Sequence, residues 1–158
     1  MVTVRLATES DLALLVQLAA AFRDFLEQQA PVDTVFAEDI ALLLRDQWTD
    51  FILAVSSDGQ PLGYVQSRYR HSAWASGLEV ELEDVFVVPD ARRMGVGYQL
   101  VECAISRAKE RGCRLMGLNT NERNHAAVAL YNALGFTAEG VFWKGGRMLW
   151  LRKFLDRE

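Results

Sequence analysis

The feature that most constrains the fold of this chain is an apolar strand that runs directly into a glycine-containing loop and an amphipathic helix. Alternating and then continuous apolar residues predict a strand at Leu78–Val88, which Pro89 ends. Gly95 and Gly97 follow, and apolar residues then recur at helical spacing over Leu100–Ala108. A strand joined closely to a helix is typical of a sheet with helices packed on its faces.

Apolar periodicity in the rest of the chain predicts elements in the order βααββ before this strand and βαββ after its helix. This order indicates an α/β fold with a mixed sheet that is partly parallel. The other predicted strands are Val2–Leu6, Phe51–Val55, Leu62–Tyr69, Leu115–Asn119 and a final hairpin of Phe136–Phe142 and Met148–Phe154 around Gly145-Gly146, and the other predicted helices are Leu12 to about Gln29, Thr34–Trp48 and Ala126–Leu134.

Alternation within the long strand changes phase near its middle. Glu79, Glu81 and Glu83 alternate with apolar neighbours, and the pattern then breaks at Asp84. A phase change inside one strand predicts a β-bulge at that point. The three glutamates form either the solvated face of an alternating strand or, if that face lines a cleft, an acidic groove suited to a cation.

Length and composition narrow the class of protein. The 158 residues, 51% of them hydrophobic, predict one domain over 1–158 with its own core. A net charge of −4 does not favour nucleic-acid binding.

No apolar run approaches the roughly 20 residues of a membrane span, and the first residues lack a secretory apolar region, so we expect a cytoplasmic protein without a membrane partner. Cys103 and Cys113 lack neighbouring ligands at zinc-binding spacing, so no metal is expected.

The loop after the long strand has the chemistry of a phosphate cradle. Amides at a helix N-terminus lack partners within the helix and carry partial positive charge. A dinucleotide-binding fingerprint needs a third glycine where this chain has Leu100, and a P-loop needs Gly-Lys-Ser/Thr where Gly97 precedes Tyr98. From these residues alone, a coenzyme A diphosphate site and a tight turn that binds nothing both stay open.

Three segments together resemble the GNAT superfamily of N-acetyltransferases. Arg92-x-x-Gly95-x-Gly97 resembles its first signature, and the stretch from Asn124 through Tyr131 to Phe136 resembles its second. The opening Arg5–Asp11 is similar to the family's usual first strand and helix start. Leu82–Val87 is similar to a stretch of diamine, polyamine and lysine-directed acetyltransferases. These similarities extend in the expected order over nearly the whole chain.

The resemblance implies a central mixed, mostly antiparallel sheet flanked by about four helices, with acetyl-CoA as the acyl donor. The parallel strands Leu82–Val88 and Leu115–Asn119 are expected to splay, and the pantetheine arm of acetyl-CoA is expected to lie between them. By resemblance, Val85, Phe86 and Val87 pair with pantetheine, and amides from Arg93 to Tyr98 bind the diphosphate. The implied cofactor-binding residues are Val85, Phe86, Val87, Arg92, Arg93, Met94, Gly95, Val96, Gly97, Tyr98, Asn119, Asn124 and Ala127.

The resemblance also implies two catalytic residues. An amine must lose a proton before it attacks a thioester, and the departing thiolate must gain one. Tyr131 holds the position of the family's general acid, and Glu83 is the candidate base. A packed core aromatic remains the alternative interpretation of Tyr131, and a water relay could replace Glu83 as the base.

The acceptor is expected to be a small, cationic primary amine. A protein lysine or N-terminus is the alternative acceptor, and an acyl-CoA-binding sensor or assembly module without turnover is the alternative function. The apolar C-terminal hairpin from Trp143 to Phe154 is compatible with a homodimer.

Overall fold

The computed structural model describes residues 1–138, 142–147 and 149–155. Five strands form one sheet in the order β1-β2-β3-β4-β5, antiparallel except for the parallel pair β4 and β5. This confirms the predicted mixed, mostly antiparallel sheet. The strands are β1 Val2–Leu6, β2 Thr49–Ser56, β3 Pro61–Ser72, β4 Gly77–Val87 and β5 Leu115–Leu118, and the helices are α1 Leu12–Phe25, α2 Asp33–Arg45, α3 Val96–Glu110 and α4 His125–Ala133.

Helices cover both faces of the sheet because its strands carry apolar residues on both sides. Ile52 and Val65 face α3 and α4, whereas Leu53 and Tyr64 face α1 and α2. These four side chains are almost completely buried. The sheet therefore has an α3 face and an α1 face, as successive strand residues point to opposite sides.

The first two helices end earlier than apolar periodicity predicts. α1 stops at Phe25 rather than near Gln29, because Glu27 adopts a left-handed φ of 56° and the Gln28 amide turns back to the Arg23 carbonyl. α2 stops at Arg45 rather than Trp48. Asp46 accepts hydrogen bonds from the Thr49 hydroxyl at 2.7 Å and the Trp48 amide at 3.2 Å, which starts a turn instead.

The predicted bulge is present in β4, one residue before Asp84. Gln66 pairs with Asp84 and Ser67 pairs with Leu82, so Glu83 is the extra residue. Leu82 consequently packs on the α3 face while Phe86 packs on the α1 face.

The predicted splay of the parallel strands is also present. β5 pairs with only four residues of β4, Glu79–Leu82, and then ends. β4 continues to Val87 with β3 on one side. Among the described residues no strand pairs with the other edge of β4 beyond Leu82, so the sheet opens there.

The prediction of a long final hairpin is wrong within the described residues. Strands β6 (Phe142–Trp143) and β7 (Gly146–Arg147) have two residues each, and residues 149–155 form no regular element. The turn is at Lys144 and Gly145, both with positive φ, one residue earlier than predicted. A ladder this short has no sheet face that could bury the following apolar side chains. Residues 139–141 and Met148 of the predicted hairpin lie outside the described part. No helix in the described ranges is long and apolar enough to cross a membrane.

Candidate active site

The loop between β4 and α3 presents a row of unbonded amides. Arg93 and Gly95 both have left-handed φ values, of 63° and 77°, and these reverse the chain before α3. Within the described part of the chain, none of the amides from Arg93 to Tyr98 donates a hydrogen bond, and the first helical bond is from Gln99 to the Gly95 carbonyl. Such amides at a helix N-terminus form an anion site. The amides that the sequence predicts to bind a diphosphate are therefore without partners among the described residues.

The two glycines of this loop act in different ways. A Cβ at Gly95 would touch nothing within 4 Å, so its role is the left-handed backbone. A Cβ at Gly97 would lie 3.3 Å from Leu130 Cδ2 and 3.7 Å from Val87 Cγ2. Gly97 therefore lets the first turn of α3 approach both α4 and the end of β4. Val96 beside it is buried, and the side chains of Met94 and Tyr98 are exposed.

The open edge of β4 carries main-chain groups that point away from β3, beside this loop. The Val88 amide donates to the Leu62 carbonyl. Because main-chain groups alternate in direction along an antiparallel pair, those of Val85 and Val87 point away from β3. Phe86 differs from the other two predicted residues, since its main-chain groups face β3 and its ring stacks on Phe22 at 5.0 Å.

Arg92 links the loop to α1. Its Nε donates to the Val87 carbonyl at 3.1 Å, and its guanidinium lies 4.5 Å from the ring centroid of Phe25. Arg92 thus has contacts within the protein, and its contact with phosphate stays a prediction.

Tyr131 lies on α4, where it faces the core next to the open end of the sheet. It is 8% exposed and packs in the same apolar cluster as Leu82, with the ring of Phe136 at 5.8 Å. Its hydroxyl makes no hydrogen bond to another described residue. Burial raises the pKa of this hydroxyl, so it stays protonated at neutral pH. The ring is a core aromatic, and the hydroxyl is available as a proton donor.

The remaining predicted cofactor residues are near the start of α4. The side chain of Asn124 caps this helix by accepting from the Ala127 amide at 3.3 Å. Ala127 packs partly buried against the α3-face core. Asn119 is exposed directly after β5.

Glu83 is held by two donors from β3. Arg68 Nε lies 2.5 Å from one carboxylate oxygen, and Gln66 Nε2 donates to the other at 2.9 Å. Glu79 pairs with Arg70 in the same way, and Glu81 lies opposite Arg68 in the sheet register. These residues share the α1 face, since they alternate along β3 and β4. Arginines opposite the glutamates therefore balance part of the negative charge on this face.

A cavity of about 280 Å³ opens beside the glutamates on the α1 face of β4, which we call the acidic face. Its lining includes Glu79, Glu81, Arg70, Leu115, Gly117 and Asn119. A larger cavity, of about 370 Å³, lies at the other end of α3. There Asp50 accepts from the Tyr69 hydroxyl at 2.8 Å and lies within 4 Å of Arg107 and Arg111, so this cavity is bordered by an ion-pair cluster remote from the loop.

The structure adds site residues that sequence reasoning missed. Tyr64 donates to Asp84 at 2.7 Å, and Gln66 and Arg68 hold Glu83. Burial raises the pKa of Asp84, the Tyr64 hydrogen bond opposes this, and the charge of Glu83 adds to it. The alternation of polar residues along β3 is visible in the sequence and indicates a polar face of that strand. It does not indicate which residues of β4 they contact, because the bulge decides the pairing. In the described segments, no group of three or more His, Cys, Asp or Glu could hold a metal.

The acetyltransferase (GNAT) family model matches residues 14–136. An uncharacterized N-acetyltransferase of Methanocaldococcus jannaschii is 36% identical over 115 residues, 70% of this chain and 46% of that protein. Aminoglycoside N(6′)-acetyltransferase type 1 of Klebsiella aerogenes is 40% identical over 88 residues, 54% of this chain and 58% of that enzyme. The chain thus spans about half the length of these two relatives. The structure of AAC(6′)-Iy with the bisubstrate analogue CoA-S-monomethyl-acetylneamine has a TM-score of 0.77 at 25% identity, covering 98% of this chain and 99% of that one.

Proposed function

Because this chain belongs to the acetyltransferase (GNAT) family, we propose that it is an N-acetyltransferase that uses acetyl-CoA to acetylate a small cationic amine. The observation that carries the proposal is the row of unbonded amides from Arg93 to Tyr98 at the start of α3, beside the open edge of β4. The diphosphate of acetyl-CoA fits the row of amides. Its extended pantetheine arm, which contains amides of its own, fits the open edge of β4.

In this proposal the main chain binds the acyl donor. Amides of 93–98 hold the diphosphate, with the α3 dipole favouring its charge. The outward groups of Val85 and the amide of Val87 pair with the pantetheine amides much as another strand would. The Val87 carbonyl already accepts from Arg92. Phe86 is less suited to this role, since its main-chain groups face β3. Arg92, Asn119, Asn124 and Ala127 stay predicted contacts around this arm.

Acetyl-CoA supplies the thioester. The amine nitrogen forms a bond to its carbonyl carbon while the carbon–sulfur bond breaks. Tyr131 gives its hydroxyl proton to the departing sulfur, and Glu83, directly or through water, takes the proton that the amine loses. The protonated state of Tyr131 at neutral pH supports the acid role.

A cationic acceptor suits the acidic face of β4. Glu79, Glu81 and Glu83 lie on it with two arginines opposite them, and a cavity of about 280 Å³ adjoins it. The aminoglycoside substrate in the name of the Klebsiella relative also supports a small amine over a protein. The cytoplasmic location stays a prediction. So does the homodimer, for which the exposed apolar side chains of Leu149, Trp150 and Leu151 are the supporting observation.

A thiol-release assay tests the proposal. Acetyl-CoA is incubated with the protein and a panel of neutral, monocationic and polycationic amines. We expect thiol release with the cationic amines and a matching N-acetylated product by mass spectrometry. Tight acetyl-CoA binding without thiol release from any amine would instead identify a sensor or assembly module.

A further inference from the structure

The carboxylate of Glu83 is fixed from two directions by β3. Gln66, only 8% exposed, occupies one oxygen, and the guanidinium of Arg68 occupies the other. The side chain of Glu83 is 32% exposed, so its outer side stays accessible to an acceptor. Each carboxylate oxygen has a further lone pair, so Glu83 can receive another donor while both of these bonds persist.

Arg68 is the cation that contacts Glu83 in a cluster of negative charges. The other ionisable groups that flank Glu83 are Glu81 and Asp84 on β4, and Tyr64 on β3 bonds to Asp84. Neighbouring negative charges oppose ionisation of a carboxylate, whereas a cation within about 4–6 Å favours it. Arg68 therefore offsets part of the negative charge around Glu83.

We propose that Arg68, assisted by Gln66, is a positioning residue for the acid–base step, which orients the Glu83 carboxylate towards the acceptor amine. The inference rests on the proposed function and assigns a role that Arg68 exerts only through Glu83. The proton moves from the acceptor ammonium nitrogen to a Glu83 oxygen, and Arg68 keeps its own proton throughout, since a guanidinium stays charged at any working pH.

Arg70 provides a matched control for this proposal. It lies two residues along β3 on the same face and pairs with Glu79 as Arg68 pairs with Glu83. Replacing either arginine by glutamine removes one positive charge from the α1 face. Only Arg68→Gln removes it from direct contact with Glu83.

The test compares kcat and KM at one fixed pH for wild type, Arg68→Gln, Arg68→Lys and Arg70→Gln with one cationic amine. We expect Arg68→Gln to lower kcat about tenfold with little change in KM, because the orientation of the base is lost. Arg68→Lys should restore most of kcat. Arg70→Gln should lower kcat by less than half as much, because Arg70 pairs with Glu79 and not with Glu83.

A Glu83→Gln variant separates the ways in which the proposal can fail. If Glu83→Gln lowers kcat strongly but Arg68→Gln leaves it unchanged, the role of Arg68 is overturned and the acetyl-transfer function stands. Equal losses of kcat in Arg68→Gln and Arg70→Gln would overturn positioning by contact. If Glu83→Gln keeps the wild-type kcat, the role of Glu83 as base and the role of Arg68 fail together, while thiol release still reports acetyl transfer. An absence of thiol release in wild type would remove the proposed function itself and the inference with it.

Discussion

Tyr131 and Phe136 pack edge to face in the core at the open end of the sheet, with their ring centroids 5.8 Å apart. Burial holds the Tyr131 hydroxyl in its protonated form, while the ring contributes to the α3-face core. Replacing Tyr131 by phenylalanine therefore removes the proposed proton donor but keeps the ring that packs in the core.

We expect Tyr131→Phe to lower kcat about 10²-fold, since general acid catalysis typically contributes 10² or more. Its melting temperature should stay within a few degrees of wild type. Tyr69→Phe is the control, because it removes a hydroxyl bonded to Asp50 remote from the loop. That variant should lose about 1 kcal/mol of stability and keep its kcat. Unchanged turnover of Tyr131→Phe at every pH would remove the general-acid assignment.

Sequence motifs predicted Tyr131 and Glu83 as candidates but did not predict the residues that hold Glu83. The contacts of Gln66 and Arg68 follow from the pairing of β3 with β4, and one extra residue in β4 decides that pairing. The phase break at Asp84 indicated a bulge. It did not indicate which residues of another strand lie opposite, because register is a property of two strands together.

At the scale of elements, the junction of β4, α3 and α4 depends on Gly97. The space for a side chain there is limited by Leu130 and Val87, 3.3 and 3.7 Å from the Cβ position. A larger residue must push the first turn of α3 away from its neighbours. The loop amides would then no longer converge on one anion.

We therefore expect Gly97→Val to weaken coenzyme A binding at least tenfold, which corresponds to about 1.4 kcal/mol. Gly117→Val is the matched control. Gly117 lies in β5, and nothing lies within 4 Å of its Cβ position, so the dissociation constant should hardly change. Calorimetric titration with coenzyme A measures both variants, and equal affinities for Gly97→Val and wild type would contradict the role of this junction.

The start of α1 depends on one buried carboxylate. Asp11 accepts two bonds from Arg5 and one from the Thr8 amide, each at 2.8 Å. The hydrogen bond from Arg5 is the main cause that lowers the pKa of Asp11 from 3.8 to about 2. A lowered pKa means that Asp11 stabilises the fold above about pH 4 and loses this effect as the pH falls towards 2.

We expect Asp11→Asn to lower the free energy of unfolding by about 2 kcal/mol at pH 7, as for hydrogen bonds to charged groups. Its difference from wild type should narrow as the pH falls from 5 to 3. Asp24→Asn, which changes an exposed ion pair with Arg23, should cost less than about 0.5 kcal/mol. Urea unfolding measures these values, and a loss from Asp11→Asn that does not vary with pH would refute the ion-pair explanation.

Element boundaries were predicted less well than the elements themselves. Apolar periodicity indicated α1 and α2 but not their ends. The backbone of Glu27 ends α1, and the side chain of Asp46 ends α2 through hydrogen bonds from Trp48 and Thr49. A left-handed residue that ends a helix is usually glycine, so Glu27 gave no signal. The final hairpin was overestimated because alternation of apolar residues does not show whether a strand has a neighbour to pair with.

At the scale of the whole molecule, the fold brings the candidate site together where the sheet opens. β4 supplies main-chain groups that point away from β3 after β5 ends, and α3 points its N-terminus to the same place. α4 follows β5 and contributes Tyr131 from the α3 face. The strand–loop–helix pattern predicted the cradle, whereas the distance between the parallel strands depends on packing from both faces of the sheet.

A crystal structure of the protein with acetyl-CoA tests directly whether the loop before α3 binds the diphosphate. We expect diphosphate oxygens within about 2.7–3.2 Å of several amides between Arg93 and Tyr98, with the pantetheine arm along the edge of β4 at Val85 and Val87. A complex in which the diphosphate binds elsewhere and these amides contact only water would contradict this expectation.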